Sequence, residues 1–398
     1  MREPDFLKLW AGQTISQIGS TISSIGLPLL AVLVLHASPV QMGMLGGASA
    51  ASVLLFGLFA GAWADRMRRR PILIAADLGR ALVVGSVPLA AALHRLTMAH
   101  LYVVAAAGAV LTVLFDVTYQ AYLPSLVDRE SLLAGNSRLA MTESLAEVAG
   151  PGLTGLLVQW ITAPMAILFD AVSFLCSAIS VWMIRKPELP PTPAAEPDMA
   201  REIREGLSTS WGDPVLRALA GRAGSGAFFL GFGGSLYFLF TVRELGLSAA
   251  TVGIIISLGG AGSFAGAWMA ERLAARFGTA RCLIGSSLLI GFAMLMVPLA
   301  HGPGLLLAAQ LGDVGWPLYN INERTLRQKI TPDHLLGRVN SAMQLVFQGV
   351  LPLGALAGGA LAQLIGVRAA MFAGALGFLL STAWLVGLRT VDDRVSAL

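Results

Sequence analysis

The sequence predicts an all-α membrane protein with twelve transmembrane helices arranged as two pseudo-symmetric six-helix halves. Its 398 residues are 56% hydrophobic and only 13% charged, about half the charged fraction of a soluble domain. Twelve apolar runs are long enough for a helix to cross a bilayer, which takes about 20 residues. Two loop patterns also recur about half a chain apart, which is typical of an internal duplication.

The twelve apolar runs follow one another with short polar connections. A charged N-terminus without a convincing signal-peptide cleavage site precedes the first run, which is therefore interpreted as a span. The runs cover residues 11–35, 40–63, 72–94, 100–123, 138–160, 163–184, 216–241, 249–270, 281–300, 303–324, 338–363 and 367–388.

The longest connection, residues 185–215, begins with a Pro-rich stretch and continues with helical spacing and mixed charge. It divides the chain near its middle. We therefore predict an N-terminal six-helix bundle at 1–186, a cytoplasmic linker with an amphipathic helix at 187–215, and a C-terminal bundle at 216–398.

The distribution of Lys and Arg predicts that both termini are cytoplasmic. In that orientation Arg95, Arg243 and Arg368 lie outside, Arg80 and Arg222 lie within spans, and the other 22 of the 27 basic residues are cytoplasmic. Cytoplasmic loops carry such an excess of basic residues. We expect a multi-pass protein of the cytoplasmic membrane.

Composition also argues against several other classes of protein. The formal charge of +4 comes from scattered basic residues rather than from a basic patch, so no nucleic-acid partner is expected. Cys176 and Cys282 are the only cysteines, and the five histidines lack metal-ligand spacing, so we expect neither a disulfide framework nor a metal or cofactor. A phosphate-binding loop and a GxSxG nucleophile motif are both missing, so neither ATP hydrolysis nor an enzyme is expected.

Two cytoplasmic loops are repeated across the middle of the chain. GAWADRMRRR recurs as AWMAERLAAR at an offset of 206 residues, with Asp65 matching Glu271. VDRESLLAGNS recurs as ITPDHLLGRVNS at an offset of 203 to 204. Paired repeats are the construction of secondary transporters, whose substrate site lies near the bilayer midplane.

At these residues the chain resembles the major facilitator superfamily, in particular its bacterial macrolide and siderophore efflux branch. The loop after span 2 is similar to the family signature, with Arg68 where that signature usually has Gly; its matching residues are Gly61, Asp65, Arg66, Arg69 and Arg70. AGPGLTGLL is similar to the exporter signature, through Gly150, Pro151 and Gly155. The resemblance covers nearly the whole chain and implies export.

Two features depart from what the resemblance implies for proton coupling. The span 100–123 lacks the arginine that drug/proton antiporters of this family often carry in helix 4. Ser20 stands where many relatives have an acidic residue in helix 1.

The resemblance also implies a gate. Asp65 would cap the start of the eleventh span, near Gly337 and Arg338. Glu271 with Arg272 would form the equivalent contact in the other half. The alternative is that the arginine-rich loop only enforces topology.

Charged residues within spans are functional candidates. Asp116 shares a helix face with Tyr119 and Gln120, and its alternative role is an interhelical bond. Glu143 and Glu147 are neighbours that resist double ionisation, and their alternative role is pairing with Arg138. Asp77 and Arg80 are predicted to neutralise each other, and Asp170 is assigned only interhelical bonding.

Two polar stripes are predicted to face away from lipid. One comprises Gln13, Gln17, Ser20 and Ser24, and the other comprises Asp313, Trp316, Asn320 and Glu323, interrupted by Pro317. The resemblance implies that these two helices line the cavity. Aromatic residues of span 7 either line a pocket or pack against neighbours and lipid; they are Phe228, Phe229, Phe232, Tyr237 and Phe238.

The sequence thus predicts a secondary active exporter of amphipathic small molecules that works by alternating access, with protons as the coupling ion. The partners expected are the substrate, protons and the bilayer, and a monomer suffices because two fused repeats enclose a site. An importer or lipid flippase of the same fold is an alternative. A sensor or scaffold would bind a ligand without flux.

Overall fold

A computed structural model describes residues 4–128, 131–188 and 199–390; the side chains of 58–65, 199–202 and 389–390 lie outside the description. Throughout the described ranges the chain is helical between short connections, without a strand. The all-α fold predicted from the apolar runs is confirmed.

Fifteen α-helices are described in these ranges. They are α1 (Pro4–Leu33), α2 (Pro39–Arg66), α3 (Arg69–Ala92), α4 (Met98–Leu126), α5 (Leu132–Ile161), α6 (Ala163–Trp182), α7 (Met199–Gly212), α8 (Pro214–Phe238), α9 (Ala249–Phe277), α10 (Thr279–Leu299), α11 (Pro303–Ala309), α12 (Gly315–Ile330), α13 (Asp333–Ile365), α14 (Val367–Ser381) and α15 (Ala383–Val386). A π-helical turn, Leu239–Glu244, continues α8, and a 3-10 turn, Gln310–Val314, joins α11 to α12.

Each of the twelve predicted spans coincides with a helix or a helical segment. Ten described helices are long and apolar enough to cross a membrane. The other two are α5, which carries Glu143 and Glu147, and the interrupted segment from α11 to α12. Helix ends extend beyond the apolar runs, so that α1 begins at Pro4 rather than near residue 11, because a helix can continue with polar side chains outside the hydrocarbon layer.

The helices form two compact units. Unit 1 comprises Met1–Ala37, Ala48–Ala195 and Ser248–Ser257. Within it α6 packs against α1 and α3, α4 packs against α3, and α5 packs against α1. Its core contains the fully buried side chains Phe6, Leu73, Phe115, Tyr122 and Leu126.

Unit 2 comprises Ser38–Gly47, Glu196–Leu247 and Leu258–Leu398. Within it α8 packs against α13 and α14, α10 packs against α12 and α14, and the amphipathic helix α7 packs against α13. Its core contains Leu219, Leu283, Tyr319, Val339 and Phe378.

Large apolar side chains also cover much of the exposed surface. Leu82 is 77% exposed, Phe264 74% and Leu380 72%. On a soluble protein such residues are costly, whereas in a bilayer they meet lipid tails. Together with the span lengths, this surface identifies a multi-pass membrane protein.

Two carboxylates satisfy the free N–H groups at helix starts. Asp213 accepts hydrogen bonds from the backbone of Val215 (2.8 Å) and Leu216 (2.9 Å) at the start of α8. Glu188 accepts from the backbone N–H groups of Arg69 (2.6 Å) and Arg70 (3.2 Å) at the start of α3. Four N–H groups at each helix start lack an intrahelical acceptor, so these bonds fix where the helices begin.

One turn has the same unusual backbone geometry in both units. Thr162, between α5 and α6, has φ 87° and ψ 154°. Gly366, between α13 and α14, has φ 90° and ψ 156° and lies 204 positions later. Only glycine adopts this region without strain. Gly278, between α9 and α10, also adopts it (φ 85°, ψ 154°), so it is the 204-residue offset, and not the geometry alone, that agrees with a duplication.

Candidate functional site

The polar stripe of α1 lies beside the face that packs against α6. Gly12, Ser16, Gly19 and Ser23 are buried on that packed face. Gln13, Gln17 and Ser20 are half-buried and Ser24 is exposed. The predicted stripe therefore lies beside the tight helix contact, and the side-chain nitrogen of Gln13 is buried without a hydrogen-bond partner among the described residues.

An acidic patch forms where α4 and α5 come together in unit 1. Asp116, Gln120, Glu143 and Glu147 are all exposed. The charge of Glu143 acts on Asp116, and that of Glu147 acts on Glu143. These carboxylates repel one another, so the patch favours cations or protons.

Arg138 does not neutralise this acidic patch. Its guanidinium lies 5.9 Å from the centre of the Trp10 ring, and among the described residues it forms no ion pair with Glu143 or Glu147. The alternative in which Arg138 pairs with these carboxylates is therefore not what the structure contains.

A buried ionic cluster lies between α3, α4 and α6. Arg80 forms an ion pair with Asp77, as the sequence predicts. Its guanidinium lies between two rings, 4.2 Å from the centre of Phe115 and 4.3 Å from that of Phe174. Asp170 lies within the electrostatic reach of both Arg80 and Asp77, so three charged groups share one enclosed region.

Unit 2 also contains an arginine that lies between two aromatic rings. These two rings stand at positions equivalent to those of Phe115 and Phe174 in unit 1. The guanidinium of Arg222 lies 4.3 Å from the ring centre of Phe378 and 5.1 Å from that of Tyr319. Phe378 follows Phe174 by 204 positions, as Tyr319 follows Phe115.

The partners of Arg222 are hydroxyl groups. It donates to Ser287 Oγ at 2.9 Å, and Ser287 in turn lies 2.7 Å from Thr382 Oγ1. No carboxylate pairs with Arg222 among the described residues. In each unit an arginine thus lies between two aromatic rings. Its polar partner is a carboxylate in unit 1 and a hydroxyl group in unit 2.

The second predicted stripe is interrupted by the 3-10 turn before α12. Pro317 has no N–H, so the carbonyl of Asp313 four residues earlier loses its helical donor. Ser263 of α9 donates to that carbonyl at 3.3 Å. Gly259 leaves room for the Asp313 carboxylate against α9, so the break positions this carboxylate.

The rest of this stripe has mixed surroundings. Asn320 is exposed, whereas Glu323 is half-buried and paired with Arg327 at 2.9 Å. Trp316 packs against Phe378 with ring centres 5.8 Å apart. Asp313 and Asn320 are therefore the more available polar groups.

Two of the aromatic residues of α8, Phe229 and Phe232, pack against glycines of α14. Cβ atoms at Gly374 and Gly377 would collide with Phe232 and Phe229, respectively. Phe228, Phe229 and Phe232 have ring centres 5.2 to 5.8 Å apart. Of the two interpretations offered by the sequence, Phe229 and Phe232 follow the packing one.

Of the arginines of the loop signature, Arg70 contacts the end of α6. Arg70 donates to the carbonyl groups of Val181 (3.3 Å) and Trp182. Arg66 is exposed and Arg69 is half-buried. The side-chain surroundings of Gly61 and Asp65 lie outside the described residues, so the predicted Asp65 contact stays a prediction.

In the second half, the residues equivalent to this loop signature lie at the end of α9, after its apolar part. Glu271 is exposed, and Arg272 donates to the carbonyl of Trp268 at 3.0 Å while lying 4.0 Å from the centre of its ring. Neither residue has an ion-pair partner among the described side chains.

The exporter signature brings α5 into backbone contact with the start of α9 in unit 1. A Cβ on Gly150 would lie 2.5 Å from Thr21, and one on Gly155 would collide with the backbone of Ala249. Gly253 makes the reciprocal approach, its would-be Cβ lying 3.0 Å from Gly155 Cα. Pro151 is buried beside this contact.

Unit 2 contains the same contact between the start of α2 and α13. A Cβ on Gly43 would lie 3.1 Å from Gly359 Cα, and one on Gly359 would lie 2.6 Å from the carbonyl oxygen of Pro39. Gly359 follows Gly155 by 204 positions. Small residues of this kind let membrane helices approach closely.

Metal-ligating clusters of three or more His, Cys, Asp or Glu side chains are missing from the described part of the chain. Cys176 and Cys282 are free thiols.

The sequence predicts only interhelical bonding for Asp170 and does not predict its position near Arg80 and Asp77 or the partners of Arg222. Their neighbours come from helices far apart in the chain, which local spacing does not reveal. The 204-residue offset that pairs Phe115 with Tyr319 and Phe174 with Phe378 is a signal that was present in the sequence.

Comparison with known proteins places these features in context. The model of the Major Facilitator Superfamily matches residues 9–354. The chain is 28% identical to the multidrug efflux pump Tap of Mycolicibacterium fortuitum over 98% of each chain. It is 24% identical to macrolide efflux protein A of Streptococcus pyogenes, covering 91% of this chain and 90% of that protein.

A solved structure has a similar fold. The inward-facing crystal structure of a bacterial homologue of the iron transporter ferroportin aligns with a TM-score of 0.80 at 18% identity, covering 97% of this chain and 99% of that one.

Proposed function

Because the chain belongs to the Major Facilitator Superfamily, we propose that it is a secondary active transporter that exports amphipathic small molecules by proton antiport. The proposed location is the cytoplasmic membrane, with both termini cytoplasmic, which is supported by the distribution of basic residues. Export is supported by two efflux proteins that are similar over at least 90% of their lengths.

The glycine contact that occurs in both units is the observation that most directly supports alternating access. Gly155 meets the start of α9, and Gly359 meets the start of α2. Each contact joins a helix of the first six spans to a helix of the last six. The close backbone approaches at these glycines bury little side-chain surface, so they separate and re-form at low cost during a transport cycle.

The accessible carboxylates support a cationic amphipathic substrate and proton coupling. Asp116, Glu143 and Glu147 lie together in unit 1, and Asp313 is placed by the helix break in unit 2. A carboxylate inside a membrane protein either binds a cation or takes up a proton, and both are competing ligands in an antiporter. Gln13, Gln17, Gln120 and Asn320 are proposed to supply neutral hydrogen bonds.

The loop residues are proposed to act as the gate on the cytoplasmic side. Arg70 already ties the start of α3 to the end of α6. Asp65 and Glu271, at equivalent positions 206 residues apart, are the proposed carboxylates of the two halves of the gate.

Dye accumulation in cells lacking their own efflux pumps tests this function. The wild type, Gly155→Ala and Gly108→Ala are compared with fluorescent amphipathic cations, with and without a protonophore. Both glycines lie within helices, but a Cβ collides with the Ala249 backbone only at Gly155 and meets nothing within 4 Å at Gly108. We expect wild type and Gly108→Ala to lower accumulation, Gly155→Ala to lose at least most of that effect, and the protonophore to abolish it.

Other outcomes contradict the proposal in distinct ways. Higher accumulation than in empty cells indicates uptake. Equal accumulation for every dye, with the protein present in the membrane, contradicts export of amphipathic cations.

A further inference from the structure

The cluster of charged groups around the buried Arg80 contains more negative than positive groups. On α3 the charged groups are Asp77 and Arg80; α6 contributes Asp170 and α4 contributes Asp116. Glu143 of α5 acts on Asp116, and α1 contributes the hydroxyl of Ser23 beside Asp170. One guanidinium therefore faces three carboxyl groups, and Asp77 already forms its ion pair.

Asp170 is the carboxyl group in this cluster that is enclosed and lacks an ion-pair partner. The residue is 1% exposed. Ser173 Oγ lies 3.2 Å from its Oδ1, and Oδ2 has no hydrogen-bond partner among the described residues. Gly19 of α1 closes the site, because a Cβ there would lie 2.7 Å from the same carboxyl group.

An ionised carboxylate in this position is costly. Burial of a charge without its own counter-ion and with an unsatisfied oxygen atom is strongly unfavourable, and such a group becomes neutral instead. The site has no room for a solute, since Gly19, Ser23 and Ser173 surround it. A proton is a ligand that needs no cavity.

We propose that Asp170 is a proton-binding site of unit 1, held beside the Asp77–Arg80 ion pair. This inference rests on the proposed proton antiport and names the carrier. Arg80 faces both the enclosed Asp170 and the exposed Asp116, so a cation arriving at Asp116 changes how strongly Arg80 stabilises ionised Asp170. The equivalent position in unit 2 is Gly374, 204 residues later, so no carboxyl group stands at that position.

Infrared difference spectroscopy of the purified full-length protein tests the site without requiring transport. Lowering the pH of the buffer is expected to increase the C=O band of a protonated carboxyl group in wild type. Asp170→Asn is expected to lose that band. The control Asp333→Asn removes an exposed carboxylate in the first turn of α13 and is expected to retain it.

Ser173→Ala provides a second test that keeps the carboxyl group. Because Ser173 lies within hydrogen-bonding distance of Asp170 Oδ1, its loss is expected to shift the band to higher frequency. This variant decides the assignment should Asp170→Asn fail to fold.

The proposal is overturned if no carboxyl band changes with pH in wild type. It is also overturned if folded Asp170→Asn keeps the full band, or if Ser173→Ala leaves its frequency unchanged. Failure of the two proposals is distinguishable. A titrating Asp170 in a protein that transports no dye supports the site and contradicts antiport, whereas proton-driven transport without an Asp170 band does the reverse.

Discussion

Two buried arginines, Arg80 and Arg222, contact aromatic rings at equivalent positions of the two units but have different polar partners. Each guanidinium lies between two rings, and the rings are 204 positions apart in the chain. Arg80 is neutralised by Asp77, whereas Arg222 is held by hydroxyl groups. The aromatic positions thus recur at the duplication offset, whereas the arginine comes from α3 in unit 1 and from α8 in unit 2.

The sequence predicts the Asp77–Arg80 pair but not the surroundings of Arg222. Residues three apart on a helix are neighbours whatever the fold. Arg222 instead meets Ser287 and Tyr319 from other helices, and such contacts depend on how the helices pack. Local spacing carries no information about them.

The strained turn at Thr162 yields a stability prediction. Its φ of 87° and ψ of 154° cost a non-glycine residue about 1–3 kcal/mol, and glycine's greater freedom in the unfolded chain returns about 0.5–1 kcal/mol of that. Thr162→Gly is therefore expected to raise the melting temperature of the purified protein in detergent. The reverse change at the equivalent turn, Gly366→Thr, is expected to lower it.

The reciprocal pair serves as its own control. A melting temperature that falls for Thr162→Gly, or stays unchanged for Gly366→Thr, would show that the backbone geometry of the turn is not a source of strain.

Among the elements, α7 and the segment from α11 to α12 differ most from ordinary membrane spans. The sequence predicts an amphipathic helix in the linker but not where it binds. In unit 2 it lies on α13, with Glu205 paired to Arg338 at 2.9 Å and Gly206 against the Arg338 carbonyl. The linker helix therefore contacts the end of α13 that the resemblance assigns to the gate.

The apolar runs predict where the spans lie because burial in lipid demands about 20 apolar residues. They do not predict the helix break at Gln310–Val314, which the sequence places at Pro317 instead. Proline removes the donor for a carbonyl four residues earlier, so the disturbance extends toward the N-terminus of the segment. A polar group from another helix, Ser263, then decides its geometry.

Docking of α7 depends on the small size of Gly206. A leucine there would collide with the α13 backbone, so Gly206→Leu is expected to detach α7 and speed protease cleavage of the linker by several-fold. Gly212, at the end of the same helix, has nothing within 4 Å of a would-be Cβ, so Gly212→Leu is the matched control. Equal cleavage rates for wild type and Gly206→Leu would contradict the docking.

At the scale of the whole molecule, duplication explains the recurrence of turns, aromatic positions and glycine contacts at an offset of 204 residues. Family membership and the all-helical membrane fold are predictable from composition, loop repeats and signatures, because these features are spread along the whole chain. The predicted division at residues 187–215 stays a prediction, and unit 2 includes the segment 38–47 while unit 1 includes the segment 248–257. Those segments carry the glycine contacts on which the proposed transport cycle depends.

Proton-driven antiport is the central claim, and transport into proteoliposomes tests it most directly. Purified protein is reconstituted into vesicles whose lumen is more acidic than the outside, and a fluorescent amphipathic cation is added externally. The account predicts that the dye accumulates as protons leave and that a proton/potassium exchanger abolishes this accumulation. Passive uptake of the dye is measured in protein-free vesicles and subtracted. Dye movement in the same direction as protons, or accumulation that is unchanged when the gradient is removed, would contradict it.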